Sequence, residues 1–461
     1  MSRPAPRPLG FALLGAGAAL TASACQMLFG IDASSLQDET SAAGGASGGV
    51  GGSAGATGAG GSMGAGGSMG NGGGGGDGGG TLQCEGGKTD CGGTCFDLST
   101  DPEHCGACDR SCRGAGCEAS ACKPEAVITG EVAPYAIVQD QSSLYWTSPA
   151  RIQDGSLPHR VRTTAKTPGG TVTDLFPNTL IRSTSLAASD DGFLYWGTLG
   201  SSPTDTTAQR VARGVPGAED GTPIAGGQFN VQYLALSPND RVYWTAANDA
   251  AVRATAVGGA GGAGGAGGAG PIDLEILGQG KVGWVTVDGD EQPYWIRGDT
   301  GEVRRRKMSA PAFTSEFEPV ATANQPVSVE LANGRVYWAD RKPGSVHSLT
   351  KDLGAAAVDF DGKGSVEGFA VDGATLFVLT LIDGTEGAKL LQVWRKAAGR
   401  DPLLLGQVAV VTPATYTNGN PFGGAYVLVD DAYVYFADLG TVTLGAVPLT
   451  PGDGIIYRVA K

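Results

Sequence analysis

The stretch Leu144-Tyr145-Trp146-Thr147 returns in close variants six more times before the C-terminus. The variants are Leu194-Tyr195-Trp196-Gly197, Val242-Tyr243-Trp244-Thr245, Pro293-Tyr294-Trp295-Ile296, Val336-Tyr337-Trp338-Ala339, Leu376-Phe377-Val378-Leu379 and Val434-Tyr435-Phe436-Ala437. From each tyrosine, or the phenylalanine that replaces it, to the next, the intervals are 50, 48, 51, 43, 40 and 58 residues. Such a period is typical of propeller blades and similar arrays.

Each copy lies in the same local pattern. An alternating apolar run such as Leu234-Ala235-Leu236 is followed by a polar turn such as Asn333-Gly334 and then by the aromatic strand, which predicts a β-hairpin. A third strand such as Val252-Arg253 and a fourth apolar piece such as Ile272 to Leu277 complete the unit. Since no helical periodicity is present, the sequence predicts an all-β fold, a seven-bladed β-propeller over residues 126–461.

The two ends of this region predict how the ring closes. After the last aromatic strand only one strand remains, around Ile455 to Val459, so the last unit lacks its fourth strand. An unassigned strand at 126–130 precedes the first unit. Because an open edge presents unpaired backbone groups, we expect strand 126–130 to pair into the last sheet.

These repeats resemble the Tyr-Trp-Thr-Asp propeller repeats of low-density-lipoprotein-receptor-type proteins and their bacterial relatives. The aspartate of that motif stands here as Asp340 and Asp438. The receptor-type ring usually has six blades, whereas the spacing here predicts seven. The resemblance implies an architecture and names no ligand.

The composition of the chain argues against some classes of binding partner. The 461 residues include 78 glycines and carry a formal net charge of -14, which argues against nucleic acid or an anionic lipid surface as the partner. One basic run, Arg304-Arg305-Arg306-Lys307, interrupts the acidity at a third strand. We interpret it as a solvated outer strand.

The N-terminus predicts export. Residues 1–25 carry Arg3 and Arg7, an apolar run and then Thr21-Ala22-Ser23-Ala24-Cys25, the pattern of a secretory signal. The ending resembles a bacterial lipoprotein lipobox, which implies lipidation of Cys25 and, with Gln26 next, attachment to the outer membrane or cell surface. An ordinary signal peptide that leaves Cys25 free is the alternative. The linker at 26–83, mostly Gly, Ser and Ala, is predicted to be disordered.

Eight cysteines lie between residues 84 and 122 and predict four disulfides in a small module without a core of its own. They are Cys84, Cys91, Cys95, Cys105, Cys108, Cys112, Cys117 and Cys122, and their connectivity is left open. The run from Cys95 to Cys112 resembles the cysteine module of the Stig1-type family, which implies an extracellular module without enzymatic chemistry. Zinc bound through Cys105, Cys108 and His104 is the alternative.

Few groups in the ring suggest catalysis. Aligned on the aromatic strands, the middle residues of the seven innermost strands are Ile137, Ala187, Ala235, Thr286, Glu330, Ala370 and Leu428. Only Glu330 ionises, which leaves no acid–base pair, and outside the cysteine module the only histidines are His159 and His347. We therefore predict no catalytic residues, no metal and no cofactor. Acidic runs such as Asp288 to Glu291 and Asp430-Asp431 are interpreted as turn residues, with calcium ligation as the alternative.

The best candidate for a ligand site is aromatic. Two residues before those middle positions stand Tyr135, Tyr233, Trp284 and Tyr426, at the end of the strands that opens on one propeller face. They are predicted to stack on a sugar or hold a peptide, and packing between blades is the alternative. Two segments are predicted to be surface loops, the Gly-Gly-Ala insertion at 258–270 and the linker at 412–424.

The order of anchor, linker and propeller leads to a functional hypothesis. We predict a noncatalytic cell-surface lipoprotein that displays a β-propeller to bind a protein or polysaccharide. The alternatives are a propeller lyase or hydrolase that relies on Glu330 and acts on extracellular polymers, and a structural partner in envelope assembly.

Overall fold

The computed structural model describes residues 83–131, 134–149, 159–176, 185–197, 210–216, 222–226, 228, 231–239, 241–246, 250–257, 272–276, 281–306, 317–410, 425–440 and 452–461. The predicted signal sequence with Cys25, all but the last residue of the predicted linker, and the segments 258–270 and 412–424 lie outside these ranges. Within them, no helix has the length and apolar composition required to cross a bilayer.

The cysteine-rich region contains two small hairpins and four disulfides. Strands β1 (Thr89–Asp90) and β2 (Cys95–Phe96) pair, as do β3 (Cys117–Glu118) and β4 (Ala121–Cys122). The disulfides join Cys84 to Cys95, Cys91 to Cys108, Cys105 to Cys117, and Cys112 to Cys122. All eight cysteines are oxidised in these pairs, so Cys105 and Cys108 offer no thiolate to zinc, contrary to the zinc alternative.

The rest of the described chain forms seven four-stranded antiparallel sheets, six of them from four consecutive strands. Strand β5 (Glu125–Glu131) precedes them. Sheet 1 contains β6 (Ile137–Gln139), β7 (Ser143–Pro149), β8 (His159–Ala165) and β9 (Thr173–Leu175); sheet 2 contains β10 (Leu186–Ala188), β11 (Leu194–Gly197), β12 (Arg210–Gly214) and β13 (Thr222–Gly226). Sheet 3 contains β14 (Val231–Leu236), β15 (Arg241–Ala246), β16 (Ala251–Ala256) and β17 (Ile272–Ile276); sheet 4 contains β18 (Val282–Val287), β19 (Pro293–Arg297), β20 (Glu302–Arg306) and β21 (Phe317–Thr322).

Sheet 5 contains β22 (Pro326–Ala332), β23 (Arg335–Asp340), β24 (Ser345–Thr350) and β25 (Ala357–Phe360); sheet 6 contains β26 (Ser365–Asp372), β27 (Thr375–Asp383), β28 (Lys389–Ala397) and β29 (Leu403–Val410). A 3-10 helix, Thr385–Gly387, joins β27 to β28. Sheet 7 contains β30 (Leu428–Val429), β31 (Tyr433–Asp438) and β32 (Gly454–Ala460), with β5 as its fourth strand.

The sheets are arranged in a closed ring. The first strand of each sheet contacts the first strand of the next, and β30 of sheet 7 contacts β6 of sheet 1. Strand β5 pairs with β32, with Ile128 opposite Ile456, so the edge that the sequence leaves open is filled by the segment predicted to fill it. An all-β propeller preceded by a disulfide-rich region is confirmed.

Local sequence explains the hairpins. At the Asn333-Gly334 turn both residues have positive φ, 50° and 70°, as a two-residue turn that matches the twist of the strands requires. The aromatic strands lie second in each sheet, where both faces are covered. Four of their tryptophans are therefore fully buried: Trp146, Trp196, Trp244 and Trp295.

The hydrophobic core lies between successive sheets. Trp196 of sheet 2 packs in one cluster with Tyr145 of sheet 1, and Trp338 of sheet 5 packs in another with Tyr294 of sheet 4. In the described part of the chain, each sheet thus buries apolar area against both neighbours, and closing the ring packs sheet 7 against sheet 1.

The basic run of sheet 4 does not form a solvated strand, so that prediction is wrong. Arg304, Arg305 and Arg306 are each 7% exposed or less. Arg304 pairs with Glu275 and Glu302, and Arg305 pairs with Glu318. Since a buried cation requires a partner, these three carboxylates explain how Arg304 and Arg305 are tolerated in the interior.

The cysteine-rich region docks on the outer edge of sheet 6. The Arg110 side chain is 2% exposed and donates hydrogen bonds to the carbonyls of Cys105, Leu404 and Leu405. Cys105, Cys112 and Cys122 belong to the same hydrophobic cluster as Leu405. Without a core of its own, the region is stabilised both by its disulfides and by this docking.

Candidate functional site

The four aromatic residues predicted as ligand contacts meet at the centre of the ring. The Tyr233 and Trp284 ring centroids lie 5.0 Å apart, and those of Trp284 and Tyr426 lie 4.8 Å apart. Tyr135 joins them through a hydrogen bond between its hydroxyl and that of Tyr233. Because sheets 4 and 7 are not neighbours, the contact between Trp284 and Tyr426 spans the central channel. We call these four residues the aromatic cluster.

The cluster is partly accessible. Tyr233 is 2% exposed, whereas Tyr135, Trp284 and Tyr426 are half-buried. Burial raises the pKa of Tyr233 and of Tyr426 well above that of an ordinary tyrosine, so both hydroxyls stay protonated and uncharged at physiological pH. Offset and tilted rings at these separations stabilise one another, so the cluster also contributes to packing.

One position in the predicted alignment is wrong by a residue. In sheet 1, Val138 pairs with Tyr145, so Val138 rather than Ile137 occupies the position of Ala235 in sheet 3, which pairs with Tyr243. By this register, Ala136 rather than Tyr135 corresponds to Tyr233. Tyr135 still reaches the cluster because both it and Ala136 form backbone hydrogen bonds to Thr147, the arrangement of a β-bulge.

Bulges recur at this end of the first strands. The register shifts between Val231 and Tyr233 in sheet 3, between Pro326 and Ser328 in sheet 5, and between Val366 and Gly368 in sheet 6. A bulge changes the direction in which one side chain points, and bulges are common next to binding sites. In sheet 6 the extra residue is Glu367, which sequence alignment did not single out.

Glu330 lies where the alignment predicted, in the middle of the first strand of sheet 5. Its Oε2 accepts a hydrogen bond of 3.1 Å from the Val371 N–H of sheet 6. Burial raises the pKa of the Glu330 carboxyl to about 8, and the hydrogen bond from Val371 opposes the shift only partly. At neutral pH the group is therefore mostly protonated and uncharged.

A cavity of about 680 Å³ opens between sheets 5 and 6. Arg341 and Glu367 lie at its base, 5% and 0% exposed, and Lys342, Asp383 and Lys389 are among the residues that line it. Burial raises the pKa of Glu367, although the neighbouring Arg341 opposes this. We call it the Arg341–Glu367 cavity.

The cavity adjoins the aromatic cluster. Arg341 lies close enough to act electrostatically on the Tyr233 hydroxyl, and the Glu367 carbonyl accepts a hydrogen bond of 2.6 Å from Ala425, the residue before Tyr426. Sequence reasoning missed both charged residues. The one available signal was that Arg341 follows Asp340, the aspartate of the repeat, whereas Glu367 gave none because its position at the base of the cavity depends on the bulge.

The aspartates of the acidic turns accept hydrogen bonds from backbone N–H groups of the same turns, which supports their interpretation as turn residues. Oδ1 of Asp288 accepts hydrogen bonds from the N–H groups of Asp290 and Gln292, and its Oδ2 accepts one from Lys351 Nζ at 2.8 Å. Likewise, Oδ1 of Asp430 accepts hydrogen bonds from the backbone N–H groups of Ala432 and Tyr433. Among the described residues, the one group of three potential metal ligands is Cys105, Cys112 and Cys122, which are all in disulfides.

Comparison with known proteins yields fold-level likeness only. No protein-family model and no curated protein matches the sequence. Among solved structures, virginiamycin B lyase from Staphylococcus aureus is similar with a TM-score of 0.45 at 12% identity, over 73% of this chain and 98% of that one. YCF48 from Cyanidioschyzon merolae gives a TM-score of 0.43 at 13% identity over 73% and 98%, and the nidogen/laminin complex gives 0.39 at 12% over 58% and 97%. Likenesses this distant carry no argument about ligand or activity.

Proposed function

We propose that this protein is a noncatalytic binding protein of the cell surface, which uses the aromatic cluster to hold a protein or polysaccharide partner. The observation that carries the proposal is the convergence of Tyr135, Tyr233, Trp284 and Tyr426 from four different sheets on one point of the ring. Three of the four residues keep accessible surface, and tyrosine and tryptophan side chains combine an apolar ring with a polar group.

The test is a binding screen of the full chain against polysaccharides and envelope proteins, with Trp284→Ala and Tyr426→Ala as site variants. Phe317→Ala is the matched control, because Phe317 is 40% exposed on the outer strand of sheet 4. We expect both site variants to melt as cooperatively as the wild type and to lose most of the binding, and the control to keep it. Unfolding of both site variants, or full binding by folded ones, would assign the cluster to packing alone.

The proposal includes a lipid anchor on Cys25, which makes the propeller a surface-displayed domain, and a Stig1-like identity for residues 84–122. Only the sequence supports this part of the proposal. A run of small residues precedes Cys25, and the eight cysteines of residues 84–122 form an even set, which leaves Cys25 as the ninth. Palmitate labelling of the expressed protein checks the anchor. We expect label in the wild type and none in Cys25→Ser, and the anchor is refuted if the wild type takes up no label.

A second candidate function, cleavage of an extracellular polymer, is favoured by Glu330. A carboxyl with its pKa raised to about 8 is protonated at neutral pH, as a general acid must be. The same panel of polymers should therefore be assayed for turnover. Turnover that disappears in Glu330→Gln, with binding retained, would favour this candidate over the noncatalytic one.

A further inference from the structure

The Arg341–Glu367 cavity has the size and placement of a ligand site. Its volume of about 680 Å³ lies within the usual range of small-molecule pockets, about 300–1,000 Å³. It is formed by the ends of β23 and β27 and the starts of β22 and β26, where the first strands carry their bulges. This is the propeller face that also holds the aromatic cluster.

The base of the cavity presents a buried carboxylate whose hydrogen bonding is incomplete. Glu367 is 0% exposed; its Oε1 accepts a hydrogen bond of 2.9 Å from Ser365 Oγ, whereas Oε2 has no hydrogen-bond partner among the described residues. Arg341 Nε lies 3.4 Å from this oxygen, near enough for electrostatic attraction. Because this contact is an ion pair rather than a well-formed hydrogen bond, Oε2 can still accept a hydrogen bond from a donor that a ligand supplies.

The charges at the base select a class of ligand. A cation and a carboxylate lie side by side at the base, so a ligand with a charge of one sign would meet repulsion as well as attraction there. A neutral group with a donor and an acceptor on adjacent atoms satisfies both, since it donates to Glu367 Oε2 and accepts from the guanidinium. Neighbouring hydroxyls of a sugar ring have this arrangement.

The rings of the aromatic cluster, next to the cavity, are also suited to binding a sugar. A sugar also has an apolar C–H face that packs on an aromatic ring, and the Glu367 backbone is hydrogen-bonded to the residue before Tyr426. We propose that the Arg341–Glu367 cavity binds one neutral saccharide unit of a glycan whose next units lie on the aromatic cluster. This inference rests on the proposed binding function and narrows it to glycans.

The experiment is saturation-transfer NMR on the full chain with four separate probes: N-acetylglucosamine, galactose, galacturonate and N-acetylalanine methylamide. We expect transfer to at least one neutral sugar, weaker transfer to galacturonate, and roughly tenfold weaker sugar binding in Glu367→Gln, which replaces an acceptor oxygen by an amide. Lys396→Ala is the control, because Lys396 lies on the third strand of sheet 6 outside the cavity and should leave binding unchanged.

Lys389→Trp provides an independent variant if Glu367→Gln lowers the folded fraction, since an indole at the rim would fill the mouth. The inference is overturned if neither neutral sugar shows transfer, if folded Glu367→Gln and Lys389→Trp both bind like the wild type, or if the amide probe alone binds. The two proposals can be told apart. Loss of polymer binding in Trp284→Ala, with wild-type binding by both Glu367→Gln and Lys389→Trp, would keep the proposed function and refute this site.

Discussion

The indole nitrogen of Trp295 in sheet 4 donates a hydrogen bond of 2.6 Å to Oε2 of Glu275, which belongs to the last strand of sheet 3. The other oxygen of Glu275 accepts from Arg304, so one carboxylate joins a tryptophan and an arginine of the next sheet. Glu131 joins Trp146 and Arg162 in the same way, and Gln228 joins Trp244 and Arg253. These contacts tie sheet 3 to sheet 4, sheet 7 to sheet 1, and the connection between β13 and β14 to sheet 3.

Glu275→Ala is expected to lower the free energy of unfolding by about 3 kcal/mol or more, because it leaves the buried Arg304 and Trp295 without their shared acceptor. Chemical denaturation with a circular-dichroism readout measures this. Glu118→Ala is the control, because the Glu118 side chain is 73% exposed and its pair with Lys123 should be worth less than about 1 kcal/mol. Equal effects of the two substitutions would contradict a structural role for the Glu275 contacts.

Glu330 is expected to make stability fall as pH rises. The pKa of its carboxyl is about 8 in the folded protein and near the ordinary 4.5 in the unfolded chain, so between these values the folded state retains a proton that the unfolded chain has lost. The contribution of Glu330 to the free energy of unfolding is fully present below pH 4.5. It declines by at most about 5 kcal/mol in total as the pH rises to about 8, and it is constant above that pH.

Glu330→Gln should remove that slope, because its amide is neutral throughout and can still accept from Val371. Melting temperatures of wild type and variant between pH 5 and about pH 9 provide the comparison. We expect the variant to gain stability relative to the wild type as pH rises. Parallel pH profiles for the two proteins would show that Glu330 ionises normally.

Arg110 is expected to hold the cysteine-rich region on sheet 6. Its guanidinium is buried, which lowers its pKa to about 10, yet it remains charged at neutral pH and reaches three carbonyls. Arg110→Lys, which cannot direct donors at three carbonyls from a planar fork, should cost about 2 kcal/mol. Hydrogen exchange should become faster in strand β29, whereas the exposed Lys88→Ala should leave it unchanged. Unaltered protection of β29 in Arg110→Lys would mean that the docking does not depend on this side chain.

Gly368→Ala is expected to separate sheets 6 and 7. A Cβ at Gly368 would lie 2.1 Å from the Ala425 carbonyl oxygen, so one backbone would have to move, at a cost of about 1–3 kcal/mol. Gly289→Ala is the matched control, because a Cβ there meets no atom within 4 Å and the backbone is not in the left-handed region. The difference in melting temperature between the two variants gives the result, and a Gly368→Ala protein as stable as the control would refute the close approach.

Much of the fold could be predicted because its signals are local. The hairpin at Asn333-Gly334 follows from turn chemistry, and the aromatic strand around Tyr337 follows from alternation and β propensity. The partner of strand 126–130 was also predictable, because a single open edge and a single spare strand leave one pairing. The four aromatic residues were found since they stand at similar offsets from the repeat.

The remaining features depend on contacts between residues far apart in the chain. The run Arg304 to Arg306 indicates a solvated strand when considered alone, and only the tertiary structure supplies Glu275 and Glu318 as partners. The disulfide connectivity, the docking of Arg110 and the opening of Glu367 onto a cavity likewise had no local signal.

The sequence by itself therefore determined the repeating four-stranded sheets and the closing strand, because hydrogen-bonded pairing depends on alternation and turns within each unit. The tertiary structure alone decided which side chains face each other across the ring and between sheets. A one-residue bulge changes where a side chain points without changing the pattern of apolar residues, and burial of a charge depends on partners that the ring brings together from separate sheets.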